Sequence, residues 1–168
     1  MSAEFSHRLP LVHVPAAGMT LRLEASLTER TALARRLDVL ALHALVGDLR
    51  LRPGETGVIH VTGLLTAELD QACGITLAPV RQFLREAVAW RLLPEGVEPS
   101  DGEDDPDDIE TEQGMADLGE ALAQQLSLAL DPYPRAPGAE MPQGPGDGAA
   151  HGAMHGAFGA LSRLKPQG

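Results

Sequence analysis

The stretch that decides the fold is VIHVTGLLTAELDQ, residues 58–71. Apolar and polar residues alternate along it, and this period of two is typical of a β-strand. One face carries Ile59, Val61, Gly63, Leu65, Ala67 and Leu69, and the other carries His60, Thr62, Thr66, Glu68 and Asp70. The stretch therefore predicts a long strand with one apolar face.

Further strands are predicted on both sides of this stretch. Residues 19–25 alternate strictly, and residues 39–52 are apolar and then alternate up to a Pro-Gly turn at 53–57. Residues 80–93, which follow Pro79, also have one apolar face. Residues 4–14 predict a strand that pairs with residues 19–25 as a hairpin.

Two helices are predicted from their capping residues. Ser26 with Glu29 matches a capping box, which predicts a helix from about Leu27 to Asp38. Asp117 with Glu120 precedes a second segment with helical spacing, which ends at Asp131-Pro132 because the residue before proline disfavours the helical region. The predicted fold class is α+β, a curved antiparallel sheet with two helices.

Charge is concentrated in one segment of the chain. The formal net charge is −11, and residues 95–112 hold ten acidic residues and no basic ones, whereas residues 1–94 are almost neutral. This uneven distribution leaves a nucleic-acid partner open. Because the segment offers little apolar surface to bury, residues 95–114 are predicted to form a mobile acidic linker or loop.

The predicted organisation has four parts. Residues 1–94 form a strand-rich core with one helix, residues 95–114 form the acidic linker, and residues 115–135 form a helix that packs on the core. Residues 136–168 form a mostly disordered tail that is rich in glycine and proline and ends in a short apolar motif, Phe158, Leu161 and Leu164.

Several classes of protein are disfavoured. Cys73 is the single cysteine, so no disulfide forms within the chain, no cysteine-based zinc site is available, and a reducing compartment is expected. Its neighbours offer no cation that would activate the thiol, so Cys73 is expected to be a small buried or turn residue. No secretory leader and no apolar run of membrane-spanning length is present, which predicts a cytoplasmic protein without a membrane partner.

No motif for catalysis is present. The chain lacks a glycine-rich phosphate loop, a His-Glu-x-x-His pair and a Gly-x-Ser-x-Gly elbow. We therefore expect no enzyme, no catalytic residue, no cofactor and no metal site.

Arginines on predicted strands are the best candidates for a binding role. Arginine pairs well with phosphate, and an aromatic ring among cations can stack on a base. The candidates for RNA binding are Arg50 and Arg52 on one strand face, and Arg81, Phe83, Arg85 and Arg91 on another. The alternative is that these are the solvated faces of strands. The acidic run has three interpretations: a solvated linker, a binding segment for a basic protein, or an intramolecular competitor of RNA for the arginines.

Four short segments carry a resemblance to a known family. They are residues 28–42, residues 71–80 (QACGITLAPV), residues 117–135 (from DLGE to LDPYPR) and residues 158–165 (FGALSRLK). The motif residues are Cys73, Thr76 and Pro79 in the second segment, and Asp117, Leu118, Asp131, Pro132, Tyr133, Pro134 and Arg135 in the third. In this order they resemble the YceD family of large ribosomal RNA subunit accumulation proteins, and most closely its alphaproteobacterial branch.

The resemblance implies a function. A member of this family is expected to be a non-enzymatic factor that supports 23S ribosomal RNA accumulation and large-subunit biogenesis. Its implied partners are ribosomal RNA, a pre-50S particle or a basic large-subunit ribosomal protein. Two alternatives stay open: a chaperone-like binder of one basic ribosomal protein without RNA contact, and a regulator of an RNA-processing enzyme.

Overall fold

A five-stranded sheet organises the protein, whose computed structural model describes residues 3–141. The elements in chain order are β1 (Arg8–Pro10), β2 (Met19–Glu24), α1 (Leu27–Arg36), β3 (Ala41–Pro53), β4 (Ile59–Ala72), β5 (Pro79–Leu93), β6 (Asp107–Glu110), β7 (Met115–Asp117) and α2 (Leu118–Ala129). The sheet has the order β2-β3-β4-β5-β6, and β1 pairs separately with β7. The prediction of an α+β fold is confirmed.

The predicted alternation determines the two faces of the sheet. Strands β2 to β5 are joined as antiparallel neighbours, with Leu51 opposite Val61 and Val61 opposite Trp90. The side chains that point to the inner face are almost all buried. They include Leu23, Leu45, Leu49, Leu51, Val61, Leu65, Leu69, Val88, Trp90 and Leu92. This inner face is the floor of the hydrophobic core.

Both helices begin at the predicted caps. The Ser26 hydroxyl accepts the Glu29 amide at 3.3 Å, and the Glu29 carboxylate accepts the Ser26 amide at 2.7 Å. The Asp117 carboxylate accepts the Glu120 amide at 3.1 Å at the start of α2. These hydrogen bonds satisfy amides that no helical carbonyl can reach.

The helices cover the inner face of the sheet. Leu33 of α1 and Leu122 of α2 are fully buried in the same hydrophobic cluster as the inner-face residues. Leu122 lies so close to Gly47 of β3 that a Cβ there would be 2.5 Å from Leu122 Cδ1. The Trp90 indole donates a hydrogen bond to the Gln125 side chain at 3.3 Å, which joins β5 to α2.

The predicted hairpin between residues 4–14 and 19–25 is wrong. Strand β1 is limited to Arg8–Pro10 and pairs with β7, with Leu9 opposite Ala116. Leu11–His13 then forms a single 3-10 turn, and among the described strands β2 pairs with β3 alone. Pro10 and Pro15 have no amide donors, so the segment cannot form the continuous hydrogen-bond ladder that a hairpin requires.

The acidic segment is partly ordered, in contrast to the mobile linker expected over residues 95–114. Residues 107–110 form β6, which pairs with β5 in parallel, so the sheet is mixed rather than wholly antiparallel. Residues 94–106 supply the crossover of about a dozen residues that a parallel neighbour requires. Ile109 packs against the core, and the buried Thr111 hydroxyl donates to the Leu93 carbonyl at 2.7 Å. These two residues anchor a segment whose average composition is strongly polar.

Two predictions extend beyond the described residues. The apolar motif Phe158, Leu161 and Leu164 lies outside residues 3–141, as does most of the tail predicted over 136–168. Within the described part of the chain, no helix is both long and apolar enough to cross a bilayer.

Candidate functional site

The outer face of the five-stranded sheet is open to solvent. Because both helices pack on the inner face, the outward side chains of β3, β4 and β5 have no covering element among residues 3–141. Their exposed members include Arg50, Arg52, His60, Thr62, Phe83, Arg85, Ala87 and Ala89. All six residues predicted to bind RNA have this outward orientation, which the strand register brings onto one surface.

Two of the six candidates are held by carboxylates of the protein itself. Arg81 contacts Asp70 at 2.5 Å and also pairs with Glu68, both on the facing strand β4. Arg91 forms a two-pronged pair with Asp108 of β6, with both N···O distances at 2.7 Å. These guanidinium groups lower the pKa of Asp70 and of Asp108, since each favours the ionised carboxylate.

Three candidate arginines remain available. Arg50, Arg52 and Arg85 form no ion pair with any residue in the described part of the chain. Arg50 borders a shallow groove of about 620 Å³ that also contains Thr20 and Thr62. Arg52 lies directly opposite His60. The same groove also contains Asp48, whose carboxylate is paired with Arg22. Arg50 and Arg52 therefore form a cationic end of the outer face, and Arg85 is a separate cation on the same face.

Phe83 adds an exposed aromatic ring to the same face. Its side chain is 73% exposed, although phenylalanine is normally buried. Phe83 and Arg85 are two residues apart on β5, so both point outward and are neighbours. Arg52 lies opposite His60 and Arg85 lies opposite Thr66, six residues further along β4. At about 3.3 Å per residue, the two arginines are about 20 Å apart along the strand direction.

The ion pair between Arg91 and Asp108 should stabilise the edge of the sheet. The two side chains are only 22% and 10% exposed. We expect Asp108→Asn to lower the free energy of unfolding by about 2 kcal/mol at neutral pH, because it leaves Arg91 without its counter-charge. Asp107→Asn, next to it but exposed and without an ion pair among the described residues, is the matched control.

The pH dependence follows from the lowered pKa of Asp108. A carboxylate with a depressed folded pKa stabilises the protein above its unfolded pKa of about 3.9 and loses this effect as the pH falls through the folded value. The difference in the free energy of unfolding between Asp108→Asn and the unaltered protein should therefore be largest at pH 7. It should shrink as the pH falls below about 3.9. Urea unfolding followed by fluorescence of Trp90, the single tryptophan, measures it. A difference that persists undiminished in acid would contradict this account.

The family-motif residues meet at a second place in the fold. The loop after β4 contains Cys73 and Gly74, and the chain after α2 returns to it. The Gly74 amide donates to the Pro134 carbonyl at 2.8 Å, and the Gln71 side chain donates to the Asp131 carbonyl at 3.0 Å. Pro134 is buried in this contact. We call this contact between residues 71–79 and 131–136 the motif junction.

Cys73 is the centre of the motif junction. Its sulfur is fully buried and accepts the amides of Ala136 at 3.3 Å and of Ile75 and Thr76 at 3.4 Å. The Ala136 amide, followed by donors of Thr76 and Ile75, lowers the pKa of the Cys73 thiol to about 6. Cys73 is buried in a turn, as the sequence predicted, and amide donors rather than a cation lower its pKa.

Two residues of the motif junction, one of them a family-motif residue, present apolar surface to solvent. Leu77 has a positive φ of 61° and is 75% exposed, and Tyr133 is 79% exposed. Thr76 accepts the Ala78 amide, and Pro79 begins β5. Arg135 is exposed, and Asp131 accepts the Tyr133 amide at 2.9 Å. Leu118 is fully buried at the start of α2, so its role is packing.

Comparison with known families identifies the chain. The family model described as "Large ribosomal RNA subunit accumulation protein YceD" matches residues 61–165, which is more than half of the sequence. The chain belongs to the YceD family. No curated relative and no solved structure matches the chain in the corresponding comparisons.

The YceD match covers the motif junction entirely. It begins within β4 and includes β5, β6, β7 and α2, so three of the four resembling segments lie inside it and residues 28–42 lie outside. Arg81, Phe83, Arg85 and Arg91 are within the matched range, whereas Arg50 and Arg52 precede it. The family is named for accumulation of the large ribosomal RNA subunit.

Sequence reasoning missed the partners of these residues. The sequence showed Glu68 and Asp70 on the polar face of a predicted strand. Only the β4–β5 register shows that they are the partners of Arg81. The Arg91 partner is on a strand that was not predicted. The donors to Cys73 include an amide from a residue 63 positions away, which no local pattern indicates.

Proposed function

We propose that this protein supports 23S ribosomal RNA accumulation and large-subunit biogenesis in the cytoplasm by binding RNA, on its own or in a pre-50S particle, through the outer face of the sheet. The family supplies the link to the large ribosomal RNA. The action is binding rather than catalysis. The observation that carries the proposal is the uncovered outer face, where Arg50, Arg52 and Arg85 lack carboxylate partners among the described residues and Phe83 is exposed.

The chemistry of this face suits a single-stranded or unpaired RNA segment. Arginine recognises phosphate, and an exposed ring stacks on an unpaired base without requiring one sequence. The grooves beside Arg50 are shallow, which favours an extended backbone over a small enclosed ligand. Arg81 and Arg91 are assigned a structural role in this proposal, since their charges are already compensated.

The direct test is charge reversal with a matched control. Arg50→Glu/Arg52→Glu should weaken binding of a fluorescent single-stranded RNA by about tenfold or more at ~0.1 M salt. It should also reduce the slope of log K against log salt by about 1.4, since each lost phosphate contact removes about 0.7. Thr31→Glu/Arg35→Glu/Ser127→Glu makes the same change in net charge at exposed positions of the two helices, away from the outer face. Equal weakening by both variants would show only a loss of general charge and would remove the proposal.

The cellular role has its own measurement. In a strain that lacks the gene, the ratio of 23S to 16S RNA should fall, and large subunits should be depleted in a sucrose gradient. The Arg50→Glu/Arg52→Glu variant should fail to restore the ratio, while Thr31→Glu/Arg35→Glu/Ser127→Glu should restore it. An unchanged ratio in normal and cold growth would contradict the role in accumulation.

A further inference from the structure

We propose that a basic, extended segment of a partner protein binds along the open edge of β6, in an acidic groove between β6 and α2. This site differs from the RNA surface proposed above, because β6 lies three strands away from Arg50 and Arg52 on β3. The two proposals can therefore fail separately.

The groove has a strongly unbalanced charge. It has a volume of about 570 Å³, and the residues between 3 and 141 that line it include five acidic residues and one basic residue, Arg8. The carboxylates are Asp108, Glu110, Glu112, Asp117 and Glu120. An unfilled groove with this lining has a negative potential that attracts a cationic ligand.

Two of the carboxylates are available to a ligand. The other three already have partners within the protein. Arg91 pairs with Asp108, and Arg36 pairs with Glu120. The Asp117 carboxylate accepts hydrogen bonds from the Ser6 hydroxyl and the His7 amide. Glu110 and Glu112 are exposed and form no ion pair with a residue in the described range. Their charges are not compensated by the fold, so a basic side chain would gain a full partner at each.

The edge of β6 favours an extended ligand. β6 is the last strand of the sheet and pairs with β5 on one side only. Apart from this pairing, no backbone hydrogen bond joins residues 107–110 to another described residue. Such an edge leaves amides and carbonyls that a peptide can pair with by strand addition.

The groove also suits the alternation of an extended peptide. Ile109, Met115 and Ala121 provide apolar surface between the carboxylates. In a strand, successive side chains point to opposite sides, so basic residues could face Glu110 and Glu112 while the intervening residues contact this apolar surface. RNA fits poorly here, because its phosphates would be repelled.

The test uses the full chain and a defined probe. A fluorescent peptide that alternates arginine and valine should bind, and its binding should weaken as salt rises. Glu110→Arg/Glu112→Arg should weaken this binding by about tenfold or more. Glu98→Arg/Glu103→Arg changes the charge of the same acidic segment equally but outside the groove, and should leave the affinity within about twofold.

Peptide chemistry tests the strand addition. Methylation of alternate backbone amides removes hydrogen-bond donors without changing the charge, and one of the two methylation registers should abolish binding. The proposal is overturned if the peptide does not bind, if both double variants weaken binding equally, or if both methylated peptides bind as well as the parent. RNA binding that stays intact in Glu110→Arg/Glu112→Arg would separate this site from the outer face.

Discussion

Replacing Gly63 by alanine is expected to destabilise the protein by about 3 kcal/mol or more. Gly63 is in the middle of β4, opposite Leu49 of β3. A Cβ at this position would overlap the Asp48 carbonyl oxygen and would lie 3.0 Å from Leu49 Cα. Both are backbone atoms, so relief requires separation of the central strands. Urea unfolding followed by Trp90 fluorescence gives the free energy.

Gly74→Ala provides the control for this prediction. The nearest atom to a Cβ at Gly74 is the Pro134 oxygen at 3.7 Å, which is ordinary contact distance. Its expected change in the free energy of unfolding is within about 0.5 kcal/mol, as for a substitution without a clash. A cost below about 1 kcal/mol for Gly63→Ala would contradict the close approach of the two strands.

The same contact links the fold to the proposed function. Gly63 and Arg50 border one groove on the outer face. Separation of β3 from β4 would therefore displace Arg50 relative to Thr62, its partner across the strands. We expect the RNA affinity of any folded Gly63→Ala protein to fall as well, without loss of an arginine.

Local patterns predicted the elements whose formation depends on nearby residues. The alternation in residues 58–71 indicated β4, and the reciprocal hydrogen bonds of Ser26 and Glu29 begin α1 as expected. These predictions succeed because a period-two pattern and a cap are satisfied within a few residues. The sheet and its open face follow from several such strands.

Pairings that join distant parts of the chain were not predictable in the same way. β1 pairs with β7, more than a hundred residues later, and nothing in residues 4–14 identifies that partner. β6 lies in a short acidic segment, and the average composition of this segment gave no sign of a strand. The strand is held by the packing of Ile109 against the core and by the hydrogen bond from Thr111. For the candidate site, the outward direction of Arg50 and Arg85 was predictable from alternation, but the neutralisation of Arg91 by Asp108 required the tertiary structure.

The thiol of Cys73 is expected to titrate near pH 6 in the folded protein, well below the value of about 8.5 for an unperturbed cysteine. Three backbone amides point at the sulfur, and they stabilise the thiolate more than the thiol. Thiolate absorbance in the ultraviolet, measured against pH in native protein and in urea, gives both values. A native midpoint that coincides with the midpoint in urea would contradict the amide arrangement.

Ala136→Pro tests the origin of this shift, because it removes the amide that contributes most to it. The Cys73 pKa should rise toward its unfolded value, whereas Thr76→Val, which keeps the Thr76 amide, should raise it less. Since the folded pKa is depressed, the thiolate stabilises the fold above about pH 8.5 and this contribution is lost as the pH falls through 6. As the pH rises from 6 to about 8.5, the free energy of unfolding of the unaltered protein should therefore increase relative to that of Ala136→Pro. That increase would show that the thiolate of Cys73 holds the two family-motif segments of the junction together.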